Sequence, residues 1–416
     1  MKHSFLFSLI NKFIEKRNRE QNKFLEMNKK TIYLFLNSNP WFSAVTDYSL
    51  QICLYLKKNN KEIIYGAEKN STAMYEKCKE HNIPFRKIPI HNTNILNFII
   101  SFFKIVSILS SKKIHAKYVF SFEGREHTIL ILTKILFPFL WYNKKLIRVR
   151  AQSQEVKRKF LSILVYKYYT DKIIFAANCV LNRMQFDLPK NKYIVQHYCK
   201  DIQFNENKVE NYIFSQNMPV LSFQNLTFLV LGRFDAVKGH DLVLRSFLNS
   251  NLLQPSQLVF IGRSENIKAK DIYETYAKNM DICTEENNRY FLEKDGKKIY
   301  IVDEKFNDLY LFMQNTHFGI IPSLDSEVVC RVGVEFLQSG VPCLYSDAGA
   351  LSEVFSDFSQ LNFKTNDVFS LQRKIEEAEI IFNNKEKFNN LRLNAKKIGT
   401  EKYFLDNLEN IFKACP

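Results

Sequence analysis

Short β-type runs alternate with amphipathic helical stretches in two long series, and this alternation constrains the fold more than any other feature of the sequence. The first series opens with Thr31–Asn37 (TIYLFLN), a turn-like SNPW and a helix near Asp47–Leu56. Strand candidates EIIYGAE, PFRKIPI, YVFSF, KLIRVRA and KIIFAA follow. Between them lie the helical stretches MYEKCKEHN, NILNFIISFFKIVSILSSKK, one from Thr128 onward and one from about Val156 to Tyr169. The pattern lapses between Tyr198 and Asn225, where the sequence turns polar and irregular. It resumes with the strands TFLVLGRF, QLVFIGR, KKIYIVD, FGIIPS and PCLYSD and the helices HDLVLRSFLNS, LYLFMQN and Val332–Ser339. From about Phe369 the chain reads as helical and basic. Strands alternating with helices predict parallel sheets covered on both faces. The expected fold class is α/β, with two Rossmann-like, doubly wound domains facing across a cleft. In such folds ligands sit at the carboxyl ends of the strands.

The expected division is a basic extension at 1–29, a first domain at 30–200 and a linker at 201–225. A second domain follows at 226–395, and a helix at 396–416 is expected to pack back on the first domain. The length of 416 residues suits two full cores at about 150 residues each.

Lys and Arg number 59 against 43 Asp and Glu, a formal charge of +16. That surplus favours an anionic partner: nucleic acid, anionic lipid or a phosphorylated small molecule. No nucleic-acid recognition motif accompanies the charge. The eight cysteines include no C-x-x-C pair, which predicts reduced thiols in a cytoplasmic protein rather than disulfides or a zinc site. The histidines are dispersed and form no metal-ligand set. No apolar run is long enough to span a bilayer. The N-terminal MKHSFLFSLINKFIEKRNRE lacks a signal-peptide cleavage pattern. It reads as an extra amphipathic helix or tail, or as an interfacial helix on anionic lipid.

Two segments carry chemistry. In TFLVLGRFDAVKGHDLVLRSF a strand ends at Leu231, Gly232 permits a tight turn, and Arg233 and Lys238 flank a strand-to-helix loop. Two cations there can grip a diphosphate, Arg by its planar fork and Lys as a point charge; a solvated basic turn is the alternative. Gly239 permits close backbone approach. Neither a G-x-G-x-x-G fingerprint nor a P-loop is present. His240 reads as a helix N-terminal residue without chemistry. In SEVVCRVGVEFLQSGVP, Glu327 is expected in a loop and Glu335 in the first turn of a helix stopped by Gly340 and Pro342. Backbone N–H groups from Cys330 to Gly333 would open an anion site at that helix start. Glu335 is explained there either by the helix dipole or by hydrogen bonds to ribose hydroxyls. Glu327 would read hydroxyls beyond the phosphates.

The spacing E-x(7)-E followed by x-x-x-x-G-x-P resembles the signature of retaining glycosyltransferases with the GT-B fold, glycosyltransferase family 4 in particular. GRFDAVKGHDLVLRSF is similar to that family's G-R-L-x-x-x-K-G-x-x-x-L-I-x-A-F segment, and the pair occurs in the family's order. The resemblance covers about Thr227–Val354. SFEGREH and IRVRAQSQEVKRKFL in the first half resemble a branch acting on lipopolysaccharide and related glycans.

The resemblance implies a nucleotide-sugar donor, UDP-, GDP- or ADP-linked, on the second domain. It implies no separate cofactor and no metal, and no D-x-D motif occurs. Gly232, Arg233 and Lys238 would hold the diphosphate, Glu335 the ribose and Glu327 the donor sugar. Arg263 and the loop at Val302–Asp303 would lie near the base. Val329, Cys330, Arg331 and Val332 would line the donor site, and Asp347–Ala350 would close it. The implied activity is transfer of the sugar, with retention, to a glycan or lipid-linked acceptor in cell-envelope polysaccharide or lipopolysaccharide synthesis. The enzyme would be cytoplasmic or peripheral on the inner face of the plasma membrane. Rival readings are a GT-B protein that has lost catalysis and binds glycan or membrane, and a nucleotide-sugar epimerase.

Three places depart from the family pattern. The loop after the first strand, SNPWFSAVTD, has no glycine; the usual E-G-F-G is EVVC; and a paired glycine is reduced to AGALSE. In the first half, Arg125 and His127 follow YVFSF at its carboxyl end, where His127 can orient donor sugar or acceptor or simply start a helix. Arg148 and Arg150 share one face of their strand and can bind an anionic acceptor or serve surface solubility. The helix NILNFIISFFKIVSILSSKK and the later FPFLWYNKK fit core packing or docking on an anionic membrane.

Overall fold

The fold was analysed in a computed structural model, which describes residues 31–91, 94–111, 114–200, 209–306, 309–325 and 327–402. The expected extension at 1–29, the start of the linker at 201–208 and the chain end at 403–416 lie outside the described residues.

The first sheet is built from β1 (Ile32–Asn37), β2 (Glu62–Glu68), β3 (Phe85–Ile88), β4 (Ala116–Ser121), β5 (Lys145–Arg150), β6 (Lys172–Phe175) and β7 (Tyr193–Val195). Their spatial order is β3-β2-β1-β4-β5-β6-β7. The pairs β1–β2, β1–β4, β2–β3, β4–β5 and β6–β7 are parallel. Strand β1 is buried on both faces, as its unbroken apolar run requires. Leu34 and Leu36 join an aliphatic core with Ile64, Ile105, Val119 and Leu130. Phe35 enters an aromatic layer on the other face, its ring 4.4 Å from Phe120.

A short antiparallel pair, β8 (Asn211–Tyr212) and β9 (Leu221–Ser222), occupies part of the region expected to be irregular. The second sheet follows. Its strands are β10 (Leu226–Leu231), β11 (Ser256–Gly262), β12 (Ile282–Glu286), β13 (Arg289–Lys294), β14 (Lys297–Asp303), β15 (Phe318–Ile321), β16 (Cys343–Ser346) and β17 (Asn362–Phe363). The order is β12-β13-β14-β11-β10-β15-β16-β17. Without β12 and β13, the remaining six strands repeat the Rossmann order of the first six strands of the first sheet.

Chain contacts divide the molecule into two compact units. One takes in the chain up to Val149 together with Leu164–Lys172; the other holds Arg150–Ile163 and everything from Ile173.

Several helices differ from expectation at their starts. The helix expected from Thr128 begins at Gly124 and runs to Leu136, because Glu126 reaches back to accept from the backbone N–H groups of Phe122 and Glu123. The stretch expected as one helix from Val156 is an α-turn at Phe160–Ile163 running into a π-helix at Leu164–Tyr169. The C-terminal helix Lys385–Lys402 packs on the helix Arg331–Gln338. Gly399 makes this possible, since a Cβ there would meet the backbone of Gln338 at 2.5 Å.

Candidate functional site

In each sheet the first strand lies between two neighbours whose connections run in opposite directions, the position at which doubly wound folds bind ligands. Each unit builds a group of polar side chains there.

In the second unit the loops after β10 and β15 meet. Gly232, with φ of +149°, lets the chain leave β10 beside Gly262, whose own Cβ would collide with the Gly232 carbonyl at 1.9 Å. Arg233 is half exposed and pairs with Asp235 at 2.9 Å. Burial raises the Asp235 carboxyl, but hydrogen bonds from the Val237 N–H and the Asn266 amide, with Arg233 beside it, hold it below the usual carboxylate range. Gly239 has φ of +63° and lies so close to β15's end that a Cβ would meet the Pro322 carbonyl oxygen at 2.4 Å. This contact delivers Lys238 to the second loop. Its Nζ donates to Glu327 Oε2 at 2.5 Å, and Ser323 Oγ donates to the same oxygen at 2.9 Å. Lys238, Glu327, Cys330 and Val332 line a small cavity of about 30 Å³ together with His240. His240, first residue of its helix, is buried between Phe234 and Phe260; burial and Lys238 lower its pKa to about 4.

Glycine-poor segments reach glycine-like geometry by other means. Cys330, where the family pattern has its last glycine, adopts φ of +49° and caps the helix Arg331–Gln338. Its Sγ donates to the Glu327 carbonyl, and burial pushes its thiol pKa well up. The glycine kept in AGALSE, Gly349, abuts the Glu327 backbone; a Cβ there would meet it at 2.5 Å, and the next amide, Ala350 N–H, donates to the Glu327 carbonyl at 2.8 Å. Val329, in the loop before that helix, is buried.

Glu335 differs from expectation. It is the fifth residue of Arg331–Gln338, beyond the first turn, so the dipole at the helix start does not account for it. Buried, it accepts from Lys200 Nζ at 3.1 Å and from the Tyr310 hydroxyl at 3.2 Å. Burial and Glu335 raise the Tyr310 phenol to about 12. Arg263 is exposed at the end of β11. Asp303 is turned to its neighbour Ser264, accepting from its N–H and hydroxyl at 2.7 and 2.5 Å. Asp347 accepts from the Thr365 N–H at 2.9 Å.

In the first unit the loop after β1 needs no glycine, because short polar side chains turn it. Asn37 accepts from the Asn39 N–H, Asn39 accepts from the Trp41 N–H, and Ser43 with Thr46 caps the helix Ala44–Lys58. This loop and the start of Gly124–Leu136 enclose a cavity of about 780 Å³. Arg125 lines it and keeps a buried Nη1 that makes no hydrogen bond among the described residues. Trp41, 71% exposed, forms part of its wall. Glu123 lines it too; burial, with Glu126 alongside, raises its pKa to about 7.

Three residues expected in a binding role are placed otherwise. His127 is buried, its Nε2 3.0 Å from Thr170 Oγ1 and its ring against Tyr166, and it does not line the cavity. It sits in the first turn of a helix that starts four residues early, which turns it inward. Arg148 and Arg150 are buried rather than on a surface: Arg148 donates to the Glu123 carbonyl and Arg150 to the Gln154 carbonyl. Both arginines lie on an inner strand, so neither the solubility role nor an open anion-binding face applies.

The sequence reading missed Glu353. It accepts from the N–H groups of Asn178 and Cys179 at 2.7 and 2.6 Å, from the Asn178 amide at 2.9 Å and from His197 at 3.3 Å.

Residues 219–398 match the family model of glycosyl transferases, group 1. The residues named above around the loops after β10 and β15, Lys200 excepted, fall within that span. The chain is also similar to solved glycosyltransferases over nearly all its length. A glycosyltransferase from Rickettsia africae is 15% identical, with a TM-score of 0.70, covering 93% of this chain and 99% of its own. Anabaena HepE in complex with UDP and glucose is 11% identical with a TM-score of 0.66, covering 92% and 98%. The lipopolysaccharide outer core galactosyltransferase WaaB, in its apo form, is 10% identical with a TM-score of 0.60, covering 92% and 99%. At these identities the likeness shows the fold: GT-B, with two Rossmann-like α/β domains. No curated protein matches the chain by sequence.

Proposed function

We propose that this protein is a retaining glycosyltransferase that moves a sugar from a nucleotide-sugar donor to a glycan or lipid-linked acceptor of the cell envelope. The observation that carries the reading is the Lys238–Glu327 contact, which joins two loops 89 residues apart inside the span that matches group 1 glycosyl transferases. In the proposed division the donor binds at 226–395, 30–200 takes the acceptor and 201–225 links them.

Lys238 and Glu327 form an ion pair. An arriving diphosphate offers Lys238 a doubly charged partner and releases Glu327 to accept hydroxyls of the donor sugar. Arg233, half exposed and tied only to Asp235 among the described residues, can swing its fork to the same phosphates. Together these cations stabilise the nucleoside diphosphate as its bond to the anomeric carbon breaks, the main electrostatic task of the reaction. Glu335, which accepts from Lys200 and Tyr310, would hold the ribose. UDP bound by Anabaena HepE supports a uridine donor. In the first unit, Arg125 and Trp41 suit an acceptor, with the ring as a stacking platform and the guanidinium for an anionic or hydroxylated group.

The test is thermal stabilisation by UDP, GDP, ADP and their sugars, beside the Arg233→Ala, Lys238→Ala double variant. A shift with one nucleotide class, lost in the variant, supports the donor site; its product's anomeric configuration by NMR then checks retention. No shift with any donor, in folded protein, would favour a GT-B protein that has lost catalysis.

A further inference from the structure

The helix Ile95–Ser110 turns a narrow stripe to the core, with Ser101, Ile105 and Leu109 buried. The rest of its surface is apolar and open: Ile95, Leu96 and Phe103 are 76%, 60% and 61% exposed, and Ile99 is exposed beside them. The apolar surface continues onto the next elements. The Phe102 ring lies 6.1 Å from Phe137, which lies 6.1 Å from Phe139, itself 72% exposed. Monomeric soluble proteins rarely leave so continuous an apolar face without a partner.

Charge selects the partner. No Asp or Glu occurs between Glu80 and Glu123, nor between Glu126 and Glu155, and these two stretches supply the whole face. Among the described residues, Arg86 and Lys87 on β3 and Lys104 on the helix are exposed cations, and Lys104 Nζ reaches the Lys87 carbonyl at 3.5 Å. A protein interface ordinarily mixes both signs of charge. Bulky apolar side chains flanked by lysine and arginine, with no carboxylate in the two stretches that supply them, fit a surface of anionic lipid. At sixteen residues the helix is too short to cross a bilayer but can lie in its interface.

We propose that this face docks the protein on an anionic bilayer, with Ile99 and Phe103 entering the headgroup boundary and Lys104 and Lys87 meeting lipid phosphates. Phe98, on the same helix, also lines the 780 Å³ cavity, so docking presents that cavity to the membrane and selects lipid-linked acceptors. This last step rests on the acceptor reading above; the docking does not.

The experiment is flotation of the full chain with vesicles of phosphatidylcholine alone and of phosphatidylcholine with phosphatidylglycerol, without donor. Binding is expected only to the anionic vesicles, weakened about five-fold by Lys104→Ala and lost in Ile99→Asp, Phe103→Asp. These side chains are exposed, so an unchanged thermal transition shows that the variants fold. Leu253→Asp, at a residue 93% exposed in the other unit, should bind like the wild type. Undiminished flotation of the Ile99→Asp, Phe103→Asp variant would overturn the proposal. So would equal binding to both vesicle types, or a dimer in solution that these two substitutions dissociate while vesicle binding stays absent. A failure of donor binding in the thermal test leaves each of these outcomes readable.

Discussion

At the residue scale the candidate donor site is a matter of which charges meet. Lys238 bonds to Glu327 at 2.5 Å, so at the proposed site the carboxylate would compete with a donor diphosphate for the same cation. Glu327→Gln is therefore expected to bind UDP about two- to five-fold tighter, the scale of a partly exposed ion pair, while transfer slows; titration calorimetry and a turnover assay separate the two effects. Lys238→Ala is expected to lose about 10²–10³ in kcat, as when one preorganised donor to a developing charge is removed. Gly239 is the position where backbone geometry is least forgiving. Its φ is +63° and a Cβ would lie 2.4 Å from the Pro322 carbonyl, so Gly239→Ala should destabilise by about 1–3 kcal/mol in chemical denaturation. The meeting of Lys238 with Glu327 was legible, because the apolar runs before them place each on a strand-to-helix turn. The turn of Glu335 away from the helix start was not legible: its partners Lys200 and Tyr310 come from distant segments. His127, Arg148 and Arg150 were misplaced for a related reason, since a polar residue near a strand end looks the same in sequence whether it faces in or out.

At the element scale, buried parallel strands announce themselves as apolar runs, and those of both sheets were legible. The pair β12–β13 was not, because Ile282–Glu286 is largely exposed and Arg289–Lys294 has charged residues on both sides of its short buried run Tyr290–Leu292. The signal lay in the turns. Asn287–Asn288 and Asp295–Gly296 all take positive φ, as tight two-residue hairpins require, and Asp-Gly is among the strongest such cues. The contact between the short helices Leu351–Val354 and Asn178–Leu181 was equally hidden, since Glu353 is one acidic residue among many in sequence. In the fold, burial raises Glu353, but donors from His197, Asn178 and Cys179 bring it from 4.5 down to about 2. A depressed carboxyl contributes stability above its unfolded pKa and loses it as pH falls through the folded value. Relative to Glu353→Gln, the wild type should thus be more stable at pH 7 by on the order of 2 kcal/mol after discount for a side chain partly in water. That margin should shrink steadily between about pH 5 and pH 2. His240 and His317, buried and lowered to about 4 and 3, add acid lability of their own in both proteins, so urea titrations of the pair across pH isolate the Glu353 share.

At the scale of the whole molecule, the two alternating series in the sequence return as two sheets that share a six-strand order, and two groups of polar residues occupy equivalent places in them. Equivalent topology does not give equivalent chemistry. The second unit concentrates the cation–carboxylate pair and the glycine contacts, while the first has the larger cavity, with Trp41 and Arg125. A chain of two compact units need not unfold in one step, and a ligand stabilises only the states that bind it. If the donor belongs to the second unit, UDP at ~100 times its dissociation constant should add about 2.7 kcal/mol to that unit's unfolding. Calorimetry should then show one transition moving with UDP concentration. Limited proteolysis should show protection of fragments from the second unit, and both effects should vanish in Arg233→Ala, Lys238→Ala. A shift of the first unit alone, or protection that survives in the double variant, would move the donor to the Trp41–Arg125 cavity and exchange the roles proposed for the two units.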